Sequence, residues 1–502
     1  MTDALPQVVW FKRDLRVFDH ACLAQAATKG PVIPILMVEP AYWALPDSSW
    51  RQFELLRQAS VSLKEQIADI GGALRVWEGD ALSCLAALDD EIGAFDLWAH
   101  QETGNDWTYR RDRAVHEWCA KHNLTFREPV QYGVWRGSLL DRDRWAKDWD
   151  ALMARSIYPV PTEIEWHSAN PKGFAADIPG AETVGLTHDG IAGIQPGGRA
   201  AATATLHSFL YHRGRDYRTD MSSPQLGAKG CSRLSVHLVA GSISMRECYQ
   251  ATVKRKDELK DDASPHAKAW RASLSSFIGR LHWHCHFMQK LEAEPEMEFR
   301  PVARAYEGMR PDVSAEWHAA FATGRTGFPF VDACMRSLIA TGWINFRMRA
   351  MLMSFACYDL FMPWQEAGTI LARLFTDYEP GIHWTQSQMQ SGETGINTLR
   401  IYSPVKQGRD HDADGRFIRR WVPELAGLDG GAIHEPWKHG GVRGYPEPLV
   451  DHAVAAKAAR DAIWTIRRTP EAKVEATDVL LRHGSRRRPM ARRKSAPRKV
   501  KA

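Results

Sequence analysis

The sequence predicts an α/β domain with a parallel sheet, followed by an all-α domain. Three observations predict it. Over residues 5–130 short apolar runs alternate with amphipathic stretches, the pattern of strands joined by helices that cover both faces of a parallel sheet. From about residue 199 to 425 apolar residues recur every three or four positions, which is the helical period, and a Gly/Pro-rich end with one last helix completes this domain over 199–470. Between them, residues 131–198 show little periodicity and are punctuated by Pro159, Pro161, Pro171, Pro179 and Pro196-Gly197-Gly198, so they read as a long interdomain linker. A chain of 502 residues also exceeds one compact core, and two or more domains are expected.

The strands of the first, Rossmann-like domain fall at 8–11, 32–38, 74–77, 96–99 and 124–126, with helices at 53–70 and 107–121 among those between them. Ligands of such sheets sit beyond the carboxyl ends of the strands. No Gly-x-Gly-x-x-Gly follows the first strand, which argues against a nicotinamide site there. Helices of the second domain are expected at 200–210, 244–255, 268–291, 329–340, 347–360 and 364–375, with a last one near 451–466. Residues 471–502 read as a basic, disordered tail. The stretch 482–502 holds ten Lys/Arg and no acid, and removing those ten charges from the net +5 leaves about −5 for the rest. A tail of this kind suits polyanions, which it binds by releasing counterions.

Composition excludes several classes. Eight cysteines with no CxxC spacing, and none after Cys357, argue against a disulfide scaffold and against local zinc or iron–sulfur sites. The first residues lack the basic start and apolar run of a signal peptide. No stretch of about 18 apolar residues suggests a membrane span. A reducing cytoplasm, a monomer and no membrane partner are expected. Twenty tryptophans are many, because each indole needs buried area and an N–H partner. Most belong to cores; some are candidates for stacking or electron transfer.

Four segments carry candidate chemistry. Trp10-Phe11-Lys12-Arg13-Asp14-Leu15-Arg16 ends a strand with three cations around one acid, either an anion site or a salt-bridged corner. Cys231-Ser232-Arg233-Leu234-Ser235, with Tyr217 upstream, offers hydroxyls that hold phosphate or cap a helix. Arg280-Leu281-His282-Trp283-His284-Cys285-His286-Phe287 gathers cations and an indole on one helix. His282 and His286 are spaced to share a metal, but no third ligand is evident and no metal is assigned. A face that stacks on and protonates a nucleic-acid base suits these types better, with buried, satisfied histidines as the alternative. Last, Gly342-Trp343-Ile344-Asn345-Phe346-Arg347-Met348-Arg349 is followed by Asp377-Tyr378-Glu379. Arg349 and Asp377 are a candidate ion pair beside a cofactor, or a plain helix–helix salt bridge.

In order along residues 7–425, the chain resembles the cryptochrome/photolyase family. The resemblance is carried by Trp10 to Arg16 with Asp19, by Ser232-Arg233-Leu234-Ser235, by Thr326-Gly327-Phe328-Pro329-Phe330-Val331-Asp332-Ala333-Cys334-Met335-Arg336, by Thr341-Gly342-Trp343, by Arg400-Ile401-Tyr402-Ser403-Pro404, and by Phe417-Ile418-Arg419-Arg420-Trp421-Val422-Pro423-Glu424-Leu425. It implies FAD folded into a U in a helical FAD-binding domain, and leaves room for a second antenna chromophore of folate, deazaflavin or lumazine type. It implies damaged DNA as the partner, with light-driven electron transfer from reduced FAD into a pyrimidine dimer. A blue-light receptor without repair activity is the alternative, and a flavin module without photochemistry is a third reading.

By position in that family, Tyr217 and Cys231, Ser232, Arg233, Leu234 and Ser235 hold the phosphates. Phe277 stands where a flavin-contacting Trp is frequent. Arg349, Asp377, Tyr378 and Glu379 line the ring. Trp384 and Trp364 match the first two relay tryptophans, with Trp317 and Tyr358 as candidates for a third. Arg280, Trp283, His284, Phe287, Phe346, Arg347 and Gln407 face DNA, with Arg280, Trp283 and His284 also in catalytic roles. Glu102 falls where a folate-type antenna is contacted. The chain departs from the pattern at Cys231, where Thr is usual, at Arg280, where cyclobutane-dimer enzymes carry Glu, and at Phe346, where Asn is usual. The second stacking wall falls near Gln386, and in a shortened loop after Asp377 either Ile382 or His383 faces flavin N5. The paired His of animal (6-4) enzymes is absent from the Trp343 helix, with His282, His284 or His286 as substitutes, and the iron–sulfur branch's C-terminal cysteines are missing.

Overall fold

The computed structural model describes residues 4–137 and 143–484. Five parallel strands, β1 (Gln7–Phe11), β2 (Val32–Val38), β3 (Arg75–Glu78), β4 (Asp96–Trp98) and β5 (Thr125–Arg127), form one sheet in the order β3-β2-β1-β4-β5. Every residue of β1 is buried, as a central strand covered on both faces requires. Strand order reverses between β1 and β4, so the carboxyl ends of these two strands form the switch point of the sheet.

The predicted helices are present, with ends set by local chemistry. Ser49 and Gln52 form a capping box at the start of α1 (Trp50–Asp69). Asn105 caps α2 (Asp106–Lys121). Ser264 and a Pro at the first position open the long α5 (Pro265–Ala293). Helix α6 (Pro329–Thr341) stops at Gly342, whose φ is 69°. A Cβ there would lie 2.1 Å from Thr376 Oγ1, so only glycine admits this close approach. The contact, with Thr376 N donating to Gly342 O at 2.9 Å, fixes the Trp343 segment against the Asp377 loop. Helices α7 (Phe346–Ser354), α8 (Trp364–Leu374) and α9 (Pro380–Ser391) then wrap one core that contains Phe328, Phe355, Trp364 and Trp384.

Two expectations are corrected. The linker is not irregular throughout: α3 (Trp145–Met153) buries Trp145, Trp149, Leu152 and Met153 in the helical-domain core beside Phe277 and Trp343. The basic tail does not begin at 471. Thr469 caps α11 (Pro470–His483), which follows α10 (His452–Arg467). Glu475 accepts from the backbone N–H groups of Arg304 and Ala305, and His483 and Arg482 bind Glu294 at the end of α5. Residues 485–502, which hold the remaining basic charges, lie outside the described residues.

The domains are joined by side chains that satisfy helix ends. Arg51 Nη1 donates to Leu374 O at 2.9 Å, and Gln52 Nε2 to Ala372 O at 2.8 Å, so α1 caps the last carbonyls of α8. All eight cysteines are buried and none is in a disulfide. Among the described residues no helix is long and apolar enough to cross a membrane.

Candidate cofactor and substrate site

The Asp377 loop supplies the site's charges. Arg349 Nη2 donates to both carboxylate oxygens of Asp377, at 2.9 and 2.8 Å, and its guanidinium lies 4.1 Å above the Phe375 ring. Arg349 Nε donates to Ile344 O at 2.8 Å, so the arginine is held from both sides. The pair expected from the sequence therefore forms. Glu379 Oε2 accepts from Arg13 Nη2 at 2.8 Å, while Glu379 Oε1 is buried without a partner. Burial pushes the Glu379 carboxyl up from its ordinary value, against the pull of Arg13. The Tyr378 hydroxyl donates to Asp47 of the α/β domain, so that hydroxyl is engaged away from the loop's charges.

Opposite this loop runs Cys231 to Ser235, leading into α4 (Ser235–Val239). That short helix has no side-chain cap, and the one local contact of its hydroxyls, Leu234 N to Ser232 Oγ, is 3.5 Å long, too weak to engage the oxygen. The capping alternative fails. Arg233 takes φ 61°, uncommon for a residue with a side chain. Its guanidinium lies 4.0 Å over the Trp343 ring, and Nε donates to Gln195 Oε1 at 3.1 Å. Cys231 and Leu234 are buried, with Arg213 bonded to the carbonyls of Cys231 and Ser232. Tyr217 and Phe277 are buried together, 6.2 Å apart with Phe209 between them.

The mouth of the site lies on α5 and α7. Trp283 is 45% exposed and Phe346 47%; Arg280 and Arg347 are exposed as well. Phe287 packs 5.3 Å from Trp283. Arg280 reaches Met221 Sδ at 3.9 Å, and Asn345 Nδ2 donates to Met221 O at 3.0 Å, which joins the two helices under the mouth. Gln407 is buried with Oε1 unpartnered. His284 lies on the same helix, one turn beyond Arg280. Its Nδ1 is buried without a partner, its ring stands 6.4 Å from Tyr132, and its charged neighbours are Arg13 and Asp377; burial brings its pKa down to about 4. The residue is half-buried with Nδ1 turned inward, and its imidazole is neutral at ordinary pH. His282 and His286 pack on Trp145, which explains their spacing without a shared metal.

Trp384 and Trp364 meet at 5.7 Å and 79°. Gly368 makes the approach to Trp384 possible, since a Cβ there would lie 2.6 Å from the indole. Ile382 packs toward the Phe277–Trp343 cluster, whereas His383 turns away, donating from Nε2 to Gly368 O at 2.9 Å beside Tyr378 and Phe375. Tyr358 is buried in a neighbouring cluster with its hydroxyl unpartnered, and Trp317 is half-buried against the Trp364 core.

The Trp10–Arg16 corner is a set of buried pairs whose partners the sequence did not show: its acid, Asp14, meets two histidines, while Lys12 and Arg13 reach Asp112 and Glu379. Asp14 Oδ2 bridges His20 Nε2 at 2.9 Å and His100 Nδ1 at 2.6 Å. Burial works to raise the Asp14 carboxyl, but the imidazoles hold it well below its ordinary range. Leu23 N donates to His20 Nδ1, which makes Nε2 the protonated nitrogen that donates to Asp14. The three groups thus satisfy one another inside the domain. Beside them, Arg111 pairs with Glu39, Glu102 and Asp112, and Lys12 and Arg136 also meet Asp112. The Glu102 carboxylate, expected at an antenna, is thus taken by Arg111. Their only signal in sequence is position beyond the strand ends.

Two family profiles match the chain: "DNA photolyase" over residues 7–136 and "FAD binding domain of DNA photolyase" over residues 277–465. The chain is 29% identical over 471 residues to the deoxyribodipyrimidine photo-lyase of Streptomyces griseus, covering 89% of this chain and 97% of the relative. It is 26% identical over 477 residues to cryptochrome DASH of Natronomonas pharaonis, covering 88% and 98%. The crystal structure of a class III photolyase from Agrobacterium tumefaciens superposes with a TM-score of 0.80 at 25% identity, over 93% of this chain and 99% of that one.

The residues present fit FAD. Asn345 Oδ1, His284 Nδ1, Glu379 Oε1, Trp384 Nε1 and Gln407 Oε1 are all buried and unpartnered on the segments just described. Each such atom costs about 1–3 kcal/mol if left unpaired, a cost that a polar ligand bound by these segments would relieve. Ser232, Ser235, Arg233 and Arg349 are the types that hold phosphates and a ring with acidic N–H.

Proposed function

Because the chain belongs to the cryptochrome/photolyase family and binds FAD in its helical domain, we propose that it is a DNA photolyase that splits UV-induced pyrimidine dimers under light. When bound and reduced, FAD supplies an electron to the dimer on illumination and takes it back once the two carbon–carbon bonds joining the bases have broken, so the reaction is redox-neutral.

This chain's side chains bind, orient and conduct. Ser232, Ser235 and Arg233 hold the pyrophosphate, and Arg349, anchored on Asp377, holds the ring. Trp384 passes electrons inward from Trp364. Trp283 stacks on the flipped bases with Phe346 across the opening, and Arg280 stabilises negative charge on the dimer electrostatically, in place of the proton that a carboxylic acid would give. Arg347 and the basic C-terminal charges hold phosphates. The observation that supports the reading is that Arg280, Trp283 and Phe346 are exposed on two helices joined through Met221. A monomer in a reducing cytoplasm suits eight buried, free cysteines.

Arg280 in place of a carboxylate favours one second reading, a blue-light receptor that keeps FAD and the indole pair but repairs nothing. The test is illumination of the reduced protein with duplexes carrying a cyclobutane dimer or a (6-4) photoproduct. Loss of either lesion supports the enzyme; loss of neither supports the receptor.

A further inference from the structure

Arg13 belongs to the α/β domain, just beyond β1, yet its side chain is built into the helical domain. Nη2 donates to Glu379 Oε2 at 2.8 Å and Nε to Val239 O at 3.2 Å. Its own carbonyl accepts from Gln131 Nε2 at 2.9 Å and lies against Gly241. A Cβ at Gly241 would fall 2.2 Å from that oxygen, and the φ there is 69°, so the crossing of the two backbones requires glycine. Val239 ends α4, which follows the Cys231–Ser235 segment, and Glu379 ends the Asp377 loop. One guanidinium therefore ties the phosphate side of the flavin site to its ring side.

The pair is more than a surface strut. The Arg13 and Glu379 side chains are 12% and 7% exposed, so neither charge is well solvated and each needs the other. Arg13 occupies only Oε2; Oε1 is buried with no hydrogen bond of ordinary geometry, although the Gly381 N–H at the start of α9 also favours the charged carboxylate. A buried carboxylate anchored through one oxygen presents the other as an oriented acceptor.

We infer that Arg13 is a positioning residue of the flavin site contributed by the other domain: it orients the Glu379 carboxylate, leaving Oε1 to accept from the bound flavin. The inference rests on flavin binding and not on DNA repair.

The test uses full-length Arg13→Met, Arg13→Lys, Glu379→Gln and the Arg13→Met/Glu379→Gln double variant. Thermal unfolding without cofactor, the FAD dissociation constant and the flavin midpoint potential are measured for each. Arg13→Met strands a buried charge, and the double variant removes both charges, so the double variant recovers the unfolding temperature that the single loses. A bare strut would also recover wild-type FAD affinity and potential. The inference expects otherwise: Glu379→Gln and the double variant bind FAD about tenfold more weakly, the loss of a charge-assisted hydrogen bond, and their potentials move positive, because a nearby anion opposes electrons added to the ring. Arg13→Lys keeps the charge and the wild-type potential. Wild-type affinity and potential in the double variant would overturn the inference, whereas wild-type protein that takes up no FAD would overturn flavin binding itself.

Discussion

Trp364 and Trp384 are 1% and 5% exposed, whereas Trp283, in the same domain, is 45% exposed. The two inner indoles are locked by their surroundings: Gly368 fits only beneath Trp384, and Arg349, Asp377 and Phe375 hold one another around the same loop. At the mouth, Trp283 and Phe346 are about half exposed, and Arg280 is exposed with a long contact to Met221. Inside, packing sets distances, which electron transfer needs. At the surface, residue type sets what is bound. The departures from the family's usual residues at Arg280 and Phe346 fall on the mouth, so the choice of lesion is expected to vary there while the photochemistry stays constant.

The contrast breaks most sharply at Asp377. Asp377→Ala leaves the Arg349 guanidinium without its anion. A fully buried orphan costs about 3–5 kcal/mol; with Arg349 23% exposed about 2 kcal/mol is expected, or some thirtyfold in FAD affinity. Fluorescence titration of the apoprotein measures this. An Arg347→Ala change at the mouth should leave FAD affinity as it is.

Acid sharpens the comparison in another way. His237, His284 and His383 are interior groups whose pKa values burial brings down to about 4. Each is neutral in the folded protein, while in the unfolded chain it takes a proton near pH 6.5. Their contribution to stability is therefore full above about pH 6.5 and is lost as pH falls through 4. The unfolding temperature should drop by a few degrees or more between pH 7 and pH 5, and His284→Gln, which removes one titrating group, should lessen that drop.

The smallest effect is expected farthest from the interior. Deleting residues 485–502 removes nine Lys/Arg and should weaken duplex binding and flatten its salt dependence, with photoreduction unchanged. Binding titrations at several salt concentrations read the slope directly.

Much of this was legible in the sequence because it was local. Apolar runs marked the strands to within a residue or two, and the Arg349–Asp377 and Trp364–Trp384 pairs followed from the family pattern. Helix α11 could have been found from Thr469 and Pro470, an N-cap followed by a first-turn proline. What could not be read was direction. On α5, Arg280 and His284 are four residues apart, but only the packing of Phe277, Leu281, Cys285 and Met288 decides that the first reaches solvent and the second turns inward. Arg13 and Glu379, or Asp14 and His100, have no periodic relation at all. Only the reversal of strand order at β1 and β4 and the docking of the two domains bring them together.

The separation of interior from mouth is tested most directly by one crossed assay on FAD-loaded Trp384→Phe and Trp283→Ala. Flavin photoreduction by a thiol is followed in one arm, and lesion loss from a damaged duplex by chemically pre-reduced protein in the other. The account predicts that Trp384→Phe photoreduces at least tenfold more slowly yet repairs once reduced, while Trp283→Ala photoreduces normally and loses repair, as a lost stacking contact of about 1–3 kcal/mol implies. If both variants lose both activities, or if Trp384→Phe photoreduces at the wild-type rate, the account is contradicted.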